Sequence, residues 1–583
     1  MLPVIGCDDE IASTTIGVTV TRPVPAVVET LEDVRANAPV RQQLASLDRV
    51  IPFRRIRRGV DTSVFTPQVY QSIAPAVSSL FAPARMAPAL DNSFAGLGNP
   101  PRIHDVIPPD TMGAAGPSHL VSILNSDFGV FDKTGNILQQ FSLDSFWLSL
   151  GSPANYPFDP RILYDQHSGR FIASSAAGTG GTDSWLLVAV SSTSDPTGSW
   201  VKVAIDADLD NNIQQFSNGA DFPGLGVDNA NIYIAANMFD TSNYYQYSKA
   251  WVIPKAQLMG SSAPSPLTRY EFRNPTGSDA SMQPAHTFGS PGAEYFVYEG
   301  NSGFIHIASV TFPGGTPTWT DLGSVPVASF TSTNSLPGVP QLGNSNTIDS
   351  GDTRVLNAVY RNGALWTTHH VGAGGKIEVA WYSIDPLSMT RWMQGRIGDA
   401  SRWYFYPSIA VNQDNDVAVG FSGSSATQYA SAYYTMRKSS DTSGTMQTVS
   451  LLKSGEAPYY KSFAGSDNRW GDYSATCVDP ADNVSFWTLQ EYAETPSGGI
   501  SMWGTWWGRF RAAPINAPTG LTATPVSSTR IDLSWTDSSN ETGYRVERRL
   551  TPAGDYTLIA TLGADNTSYV DNNGLVANST YHY

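Results

Sequence analysis

Asp206, Asp208 and Asp210 stand at alternate positions in DADLDNN, a spacing that turns several oxygens toward one hard cation. Calcium is the expected guest. Asn211 replaces the turn glycine and Ser217 the bidentate glutamate of a full helix–loop–helix calcium loop, so a site here is of a looser kind. A second set is spread along the chain. Asp110, Asp159, Asp221, His286, Arg354, Tyr406 and Asp472 each stand near the opening of one of seven segments of common shape, with Arg161, Arg469 and Tyr473 close by. Gathered in one place, such acids, imidazole, phenol and guanidinium groups could bind a cation or polar ligand, or move protons. The competing expectation is that polar residues at strand starts hydrogen-bond the neighbouring segment and hold the structure shut.

Other chemistries lack their residues. His369 and His370 are adjacent on a predicted strand, so they face opposite sides and cannot share one zinc. The chain contains no G-x-S-x-G elbow, no H-E-x-x-H helix and no phosphate-binding glycine loop. SSTSDPTGSW departs in both spacings from the Asp-box of sialidases and occurs once.

The elements that must position these residues repeat. Segments starting at 109, 159, 221, 283, 353, 406 and 471 each run from a polar or Pro-containing start into a short apolar strand. An Asp/Asn/Gly turn and a second apolar strand follow. DFPGLGVDNANIYIAAN and YPSIAVNQDNDVAVGFS are examples. Most hairpins are followed by material for two more strands, such as LLVAVS and WVKVAI around the turn at 195–198. A period of this size built from antiparallel hairpins predicts the blades of a β-propeller rather than a helical solenoid. The seventh unit holds only one convincing further strand, Ser501 to Phe510, so a donated strand must close the ring; the segment from Arg102 to Ile107, near Ile103, is the expected donor.

DFPGLGVDNANIYIAANMF, RVLNAVYRNGALW and RWGDYSATCVDPADNVSFWTLQEY resemble stretches of secreted bacterial seven-bladed propeller proteins, a likeness that implies fold and location rather than chemistry. From Pro518 the strands LTATPVSS, RIDLSWTD, GYRVERRL, YTLIATLG and TSYVDN resemble a fibronectin type III domain. Trp535, Tyr544, and Leu575 six residues before Tyr581, carry that match, the last pair resembling the family's tyrosine corner. The chain stops within the sixth strand, and the resemblance implies a spacer module. The expected fold is therefore all-β, a seven-bladed β-propeller followed by a partial immunoglobulin-like sandwich. Residues 1–100 form a leader or linker, partly disordered, 101–512 the propeller, and 516–583 the truncated module. Within the leader, Val27 to Val50 has helix-forming composition, with Pro39 breaking or starting a helix.

Composition agrees with many short strands joined by turns: hydrophobic residues make up 41% and charged residues only 15%, with 51 Gly and 39 Pro. Lys+Arg 35 against Asp+Glu 51 gives a net charge of −16, which repels a phosphate backbone and argues against nucleic acid as a partner. Cys7 and Cys477 provide no disulfide framework, and no apolar run is long enough to span a membrane. Val4-Ile5-Gly6-Cys7 resembles a lipobox, in which Cys7 would carry a lipid, although only six residues precede it.

Aromatic residues crowd the loops before the strand starts: Phe146, Trp147, Trp403 to Tyr406, Tyr459, Tyr460 and Trp470. They offer platforms for sugar rings or packing between blades. The expected function is an extracellular or cell-surface binding or adhesion protein whose propeller face holds a glycan or protein ligand. A secreted glycan-active hydrolase or lyase, with its site at the channel mouth, is the alternative.

Overall fold

The computed structural model describes residues 14–41, 49–50, 86–98, 106–180, 183–210, 213–214, 218–273, 280–462, 467–512, 518–538, 543–550, 556–563 and 565–583. It separates into two compact units, 1–439 with 443–510, and 440–442 with 511–583.

The architecture of the first unit is all-β and of propeller type. Successive antiparallel units of four or five strands follow the chain, and parallel pairings between innermost strands join the third, fourth and fifth of them into one 14-stranded sheet. Their innermost strands are Met112–Ala115, Phe158–Asp165, Gly219–Val227, Gln283–Thr287, Asn357–Arg361, Trp403–Val411 and Ala475–Val478. Each touches the next, and the last returns to the first, so the strands ring a central channel. Every hairpin read from the sequence is found as paired strands. Neighbouring sheets cover both faces of the strands between them, which is why strands such as Asn231–Phe239 and Trp403–Val411 are buried along their whole length. Turn chemistry sets the register. Arg361 pairs with Ala364 across Asn362 and Gly363, both at positive φ (51° and 82°), the two-residue turn whose twist matches the strands.

The ring is closed by Asn92–Gly98, which pairs antiparallel with Ile500–Phe510. Residues 102–105 lie outside the described residues, and Val106–Ile107 pairs with Arg49–Val50. Asn92–Gly98 wins because Phe94 packs on Phe131 and Trp487 (ring centroids 6.1 and 6.0 Å), while Leu97 is buried against the first sheet. A side chain at Gly96 would meet Thr505 Oγ1 at 2.5 Å, so the strand fits there only with glycine.

The N-terminal region, expected as leader or linker, is also built into the sheets. Thr14–Ile16, Val18–Arg22 and Ala26–Thr30 add an outer fifth strand to the fourth, third and second sheets in turn. Helix Leu31–Arg41 follows and continues through Pro39. Thr30 and Asp33 cap it reciprocally: Asp33 N donates to Thr30 Oγ1 at 3.0 Å, and Thr30 N to Asp33 Oδ2 at 3.2 Å. A buried ion pair, Lys202 Nζ to Glu29 Oε2 at 2.7 Å, fastens this region to the second sheet. Cys7 and the lipobox-like residues lie outside the described residues.

The second unit holds a three-stranded sheet (Thr519–Ser527, Arg530–Thr536, Ser568–Asp571) and a two-stranded one (Gly543–Arg548, Thr557–Gly563). Trp535 and Tyr544 join them at a ring-centroid distance of 5.2 Å, and Val576 N donates to the Tyr581 hydroxyl at 2.7 Å.

Candidate functional site

The inner strands begin on an unusual backbone. Asp110, Asp159, Phe222, Ser281 and Tyr406, from five sheets, all hold φ between 48° and 55° as their chains turn toward the channel. Three of them precede proline (Asp159-Pro160, Phe222-Pro223, Tyr406-Pro407), and in those three strands the pairing register shifts just beyond. This alignment corrects one residue: Phe222, not Asp221, is the counterpart of Asp159. Asp221 instead pairs in register with Asn237.

Hydrogen bonds link these starts from sheet to sheet. Asn125 of the first sheet donates to Asp110 Oδ2 at 2.7 Å and accepts from Asp159 N at 2.8 Å. Asp159 Oδ2 accepts from Phe222 N at 3.0 Å and from the Tyr473 hydroxyl at 3.4 Å. Asp472 N donates to Asp110 Oδ1 at 2.8 Å, joining the seventh sheet to the first. Arg469 Nη2 donates to both Asp472 oxygens at 3.0 Å. Tyr406 N donates to His370 Nδ1 at 3.2 Å, and Ser474 Oγ donates to Tyr406 O at 2.8 Å. Asp110, Asp159, Asp221, Tyr406 and Asp472 are all buried.

Arg161 crosses the channel at this level. Its Nε donates to Pro223 O at 2.8 Å and its Nη2 to Gln283 Oε1 at 3.0 Å. Nη1 reaches Leu356 O at 3.4 Å and Met112 Sδ at 3.8 Å, and the guanidinium lies 3.7 Å from the Tyr473 ring centroid. One side chain of the second sheet thus touches the first, third, fourth, fifth and seventh, or the residues leading into them. It plugs the axis.

Electrostatics follow from crowding acids where water is absent. Burial, then Asp472 and Asp159, push the Asp110 carboxyl well above the usual carboxylate range. Asp472 is raised by burial despite the pull of Arg469, and Glu491 by burial and then Asp110. Burial raises both Tyr406 and Tyr473, helped by Asp472 and Asp159 respectively. Burial lowers Arg161; it is also the largest single influence on Arg469, but Asp472, Tyr406, Asp110 and Asp349 together leave that guanidinium above its ordinary value.

Beside this plug lies a polar cleft between the loops of the fourth and fifth sheets. Its volume is about 160 Å³, and its walls include Ser281, Glu299, Asn301, Asn334, Asp352 and Arg354. Asp352 grips Arg354 through Nε at 2.7 Å and Nη2 at 2.8 Å, a fork-shaped pairing that fixes the guanidinium plane. Phe222 supports that plane from 4.4 Å away. Burial raises the Asp352 carboxyl, but Arg354 outweighs it and holds the group below its usual value. Glu299 Oε2 accepts from Thr353 Oγ1 at 2.7 Å. Asn301 and Asn334 are exposed at the rim, and Asn334 also lines a neighbouring hollow with Thr347, Asp349 and Asp467. Of the residues singled out from the sequence, only Arg354 lines this cleft. The others went unread, although the longest interval between segment starts, 283 to 353, marked their loops.

His286 does not join the strand starts. It sits fourth in its five-residue strand, toward the other end of the channel, where Nε2 bonds Gln166 Oε1 at 2.9 Å and the ring stacks on Phe288 at 4.5 Å. Burial lowers its pKa to about 4. Cys477 lines the same channel, with its thiol pushed up to about 12 by burial.

The loop aromatics are mostly packing. Phe146, Trp147, Trp403, Tyr404, Phe405, Tyr406, Tyr459 and Trp470 are buried, while Tyr460 is 43% exposed. At the calcium sequence, Asp206 ends strand Ser199–Asp206 and Asp208 is buried. The side chain of Asp210, with Asn211 and Ser217, lies outside the described residues. Among the described residues no three His, Cys, Asp or Glu side chains are grouped to hold a metal.

No protein-family model matches the chain, and no curated protein matches it. Among solved structures it is similar to a Trypanosoma rangeli sialidase in complex with the inhibitor DANA (12% identity, TM-score 0.33), covering 65% of this chain and 57% of that one. It is also similar to the phage phi92 endosialidase (10%, 0.33; 68% and 71%) and to a Dyadobacter fermentans protein of unknown function (10%, 0.34; 60% and 93%). The chain thus spans little more than half the length of the trypanosomal enzyme. Likenesses of this degree assign no activity.

Proposed function

We propose that this is an extracellular or cell-surface carbohydrate-binding protein, a seven-bladed propeller that holds glycan at its strand-start face and is followed along the chain by a fibronectin type III module. The observation that carries the reading is the cleft of Glu299, Asn301, Asn334, Asp352 and Arg354. Carboxylate, carboxamide and guanidinium groups there line one hollow, with the guanidinium plane fixed from below. Such groups offer the paired donors and acceptors that neighbouring sugar hydroxyls require, and a few convergent polar groups in a concave site are the mark of a ligand pocket. The net charge of −16 favours a neutral or cationic glycan over a polyanion. The Val576–Tyr581 hydrogen bond and the Trp535–Tyr544 contact support the fibronectin-type reading of the second unit. No helix among the described residues is long and apolar enough to cross a membrane.

A second reading, a glycan-active enzyme, draws on two carboxyl side chains, Glu299 and Asp352, lining that same cleft with Asp352 held below its usual pKa. Two carboxyl groups at one site are what glycoside cleavage draws on. A glycan array paired with a reducing-end release assay on the retained polysaccharides tests both. Retention without release is the expected result, release selects the enzyme, and no retention with no release overturns both.

A further inference from the structure

The channel is closed at the strand-start end by Arg161 and the carboxyl network, but its cavity continues to the residues beyond the strand ends: Gln166, Phe288, Pro480 and Asn483. It offers about 100 Å³ of solvent-reachable volume, in a measure where one water needs about 10–15 Å³. Leu225, Val359, Ile409, Val411 and Val478 make much of its wall apolar.

One polar group in this mouth has a fixed direction. Gln166 Nε2 donates to Thr287 O at 3.1 Å, and a carbonyl can only accept, so the Gln166 amide is oriented with Oε1 toward His286. His167 Nε2 donates to the same carbonyl at 2.9 Å and anchors the loop. His286 Nε2 must therefore carry the proton it gives to Gln166 Oε1, and in the neutral ring Nδ1 is left as a bare acceptor. Nδ1 has no hydrogen-bond partner among the described residues, although His286 lines the cavity. Phe288 stacks on the ring and is itself backed by Arg361 at 4.3 Å, so the imidazole is held in place.

We propose that the strand-end mouth of the channel binds a compact apolar molecule bearing one hydroxyl, which donates its hydrogen bond to His286 Nδ1. The apolar walls remove the body of such a molecule from water, and the bare acceptor selects its hydroxyl. Charged groups facing the imidazole, Asp165, Arg361 and Lys255 together with His167, leave the ring neutral: burial lowers its pKa to about 4.

Phenol and toluene have nearly one shape and differ at the hydroxyl, so they serve as probes. Calorimetric titration of the full chain should show phenol binding two- to tenfold more tightly than toluene, the worth of one net hydrogen bond. His286→Phe should bind both probes equally. In the unmodified protein, the ¹⁵N resonance of His286 Nδ1 should move on addition of phenol and stay still with toluene. Equal affinities in the unmodified chain, a preference that survives His286→Phe, or no saturable binding would overturn the proposal. Should His286→Phe fail to fold, the ¹⁵N response decides, and a resonance unmoved by phenol overturns it. None of these outcomes bears on glycan binding at the other face.

Discussion

The two ends of one channel use polar residues in opposite ways. At the strand-start end, Asp110, Asn125, Asp159 and Asp472 are buried and bonded to one another across sheet boundaries, and buried Arg161 bonds Pro223 O and Gln283 Oε1 beside them. At the strand-end mouth, His286 bonds one neighbour through Nε2 and lines a cavity. The same type of residue thus ties sheets together where seven strands converge, and is left available where they part. The open polar cleft lies beside the tied end, in the long loops of the fourth and fifth sheets, where side chains are released from holding the ring.

The sharpest way to break this comparison is to remove the plug. Arg161→Met should cost about 3–5 kcal/mol, because it leaves the buried acceptors Pro223 O and Gln283 Oε1 without their donor, at about 1–3 kcal/mol each, and removes contacts to five sheets. Thermal unfolding with near-unchanged stability would show that the strand-start network is not structural. Asp110→Ala should cost less, about 1–3 kcal/mol. Asp110→Asn should cost about as much, because the amide nitrogen that replaces one oxygen cannot accept from Asp472 N or Asn125 Nδ2.

Titration separates the ends further. Asp110, Asp472 and Glu491 have folded-state pKa values raised above their unfolded ones. Their contribution is complete below the ordinary carboxylate range and is lost as pH rises through the folded values. Asp110→Asn should therefore flatten the fall in melting temperature toward higher pH. His286, His369 and His370 behave in the opposite sense, depressed by burial to about 4, 3 and 4 from an ordinary value of about 6.5. Stability from these three is complete above pH ~6.5 and declines as pH falls toward 4. His286→Phe should remove part of that decline. A melting temperature independent of pH between 6.5 and 4 would contradict the depressed values of all three.

The smallest expected effect on folding belongs to the cleft. Asn334→Ala at the exposed rim should change stability by less than ~0.5 kcal/mol. It should still weaken glycan retention on the array about tenfold, as loss of about one hydrogen bond to a tightly held hydroxyl does. Unchanged retention would move the glycan site away from this cleft.

Much of the fold was legible because each hairpin advertises itself locally, through apolar strands around Asp/Asn/Gly turns such as Asn362-Gly363. What escaped notice pairs over long distances. Thr14–Ile16 meets strand Thr318–Pro326, and the closing strand Asn92–Gly98 carries two glycines that give it the composition of a linker. The site was less legible. Polar residues at strand starts serve a tie and a ligand site equally well, and only the burial and bonding of Asp110, Asp159 and Asp472 separate the two. Aligning Asp221 with Asp159 by residue type missed the backbone, in which Phe222 takes the left-handed position. Glu299 ends the second strand of the fourth segment, and Asn301 and Asn334 lie in the long interval that follows it, where no residue pattern recurs to mark them.

Hydroxyl-radical footprinting of the intact chain compares the two ends most directly, because it reads solvent access side chain by side chain. Tyr406 and Tyr473, 3% and 2% exposed at the tied end, should be protected, while His286 and Phe288 at the open mouth should react readily. Oxidation of Tyr406 and Tyr473 at the rate of Phe288 would mean that the strand-start end is open too, contradicting the plug.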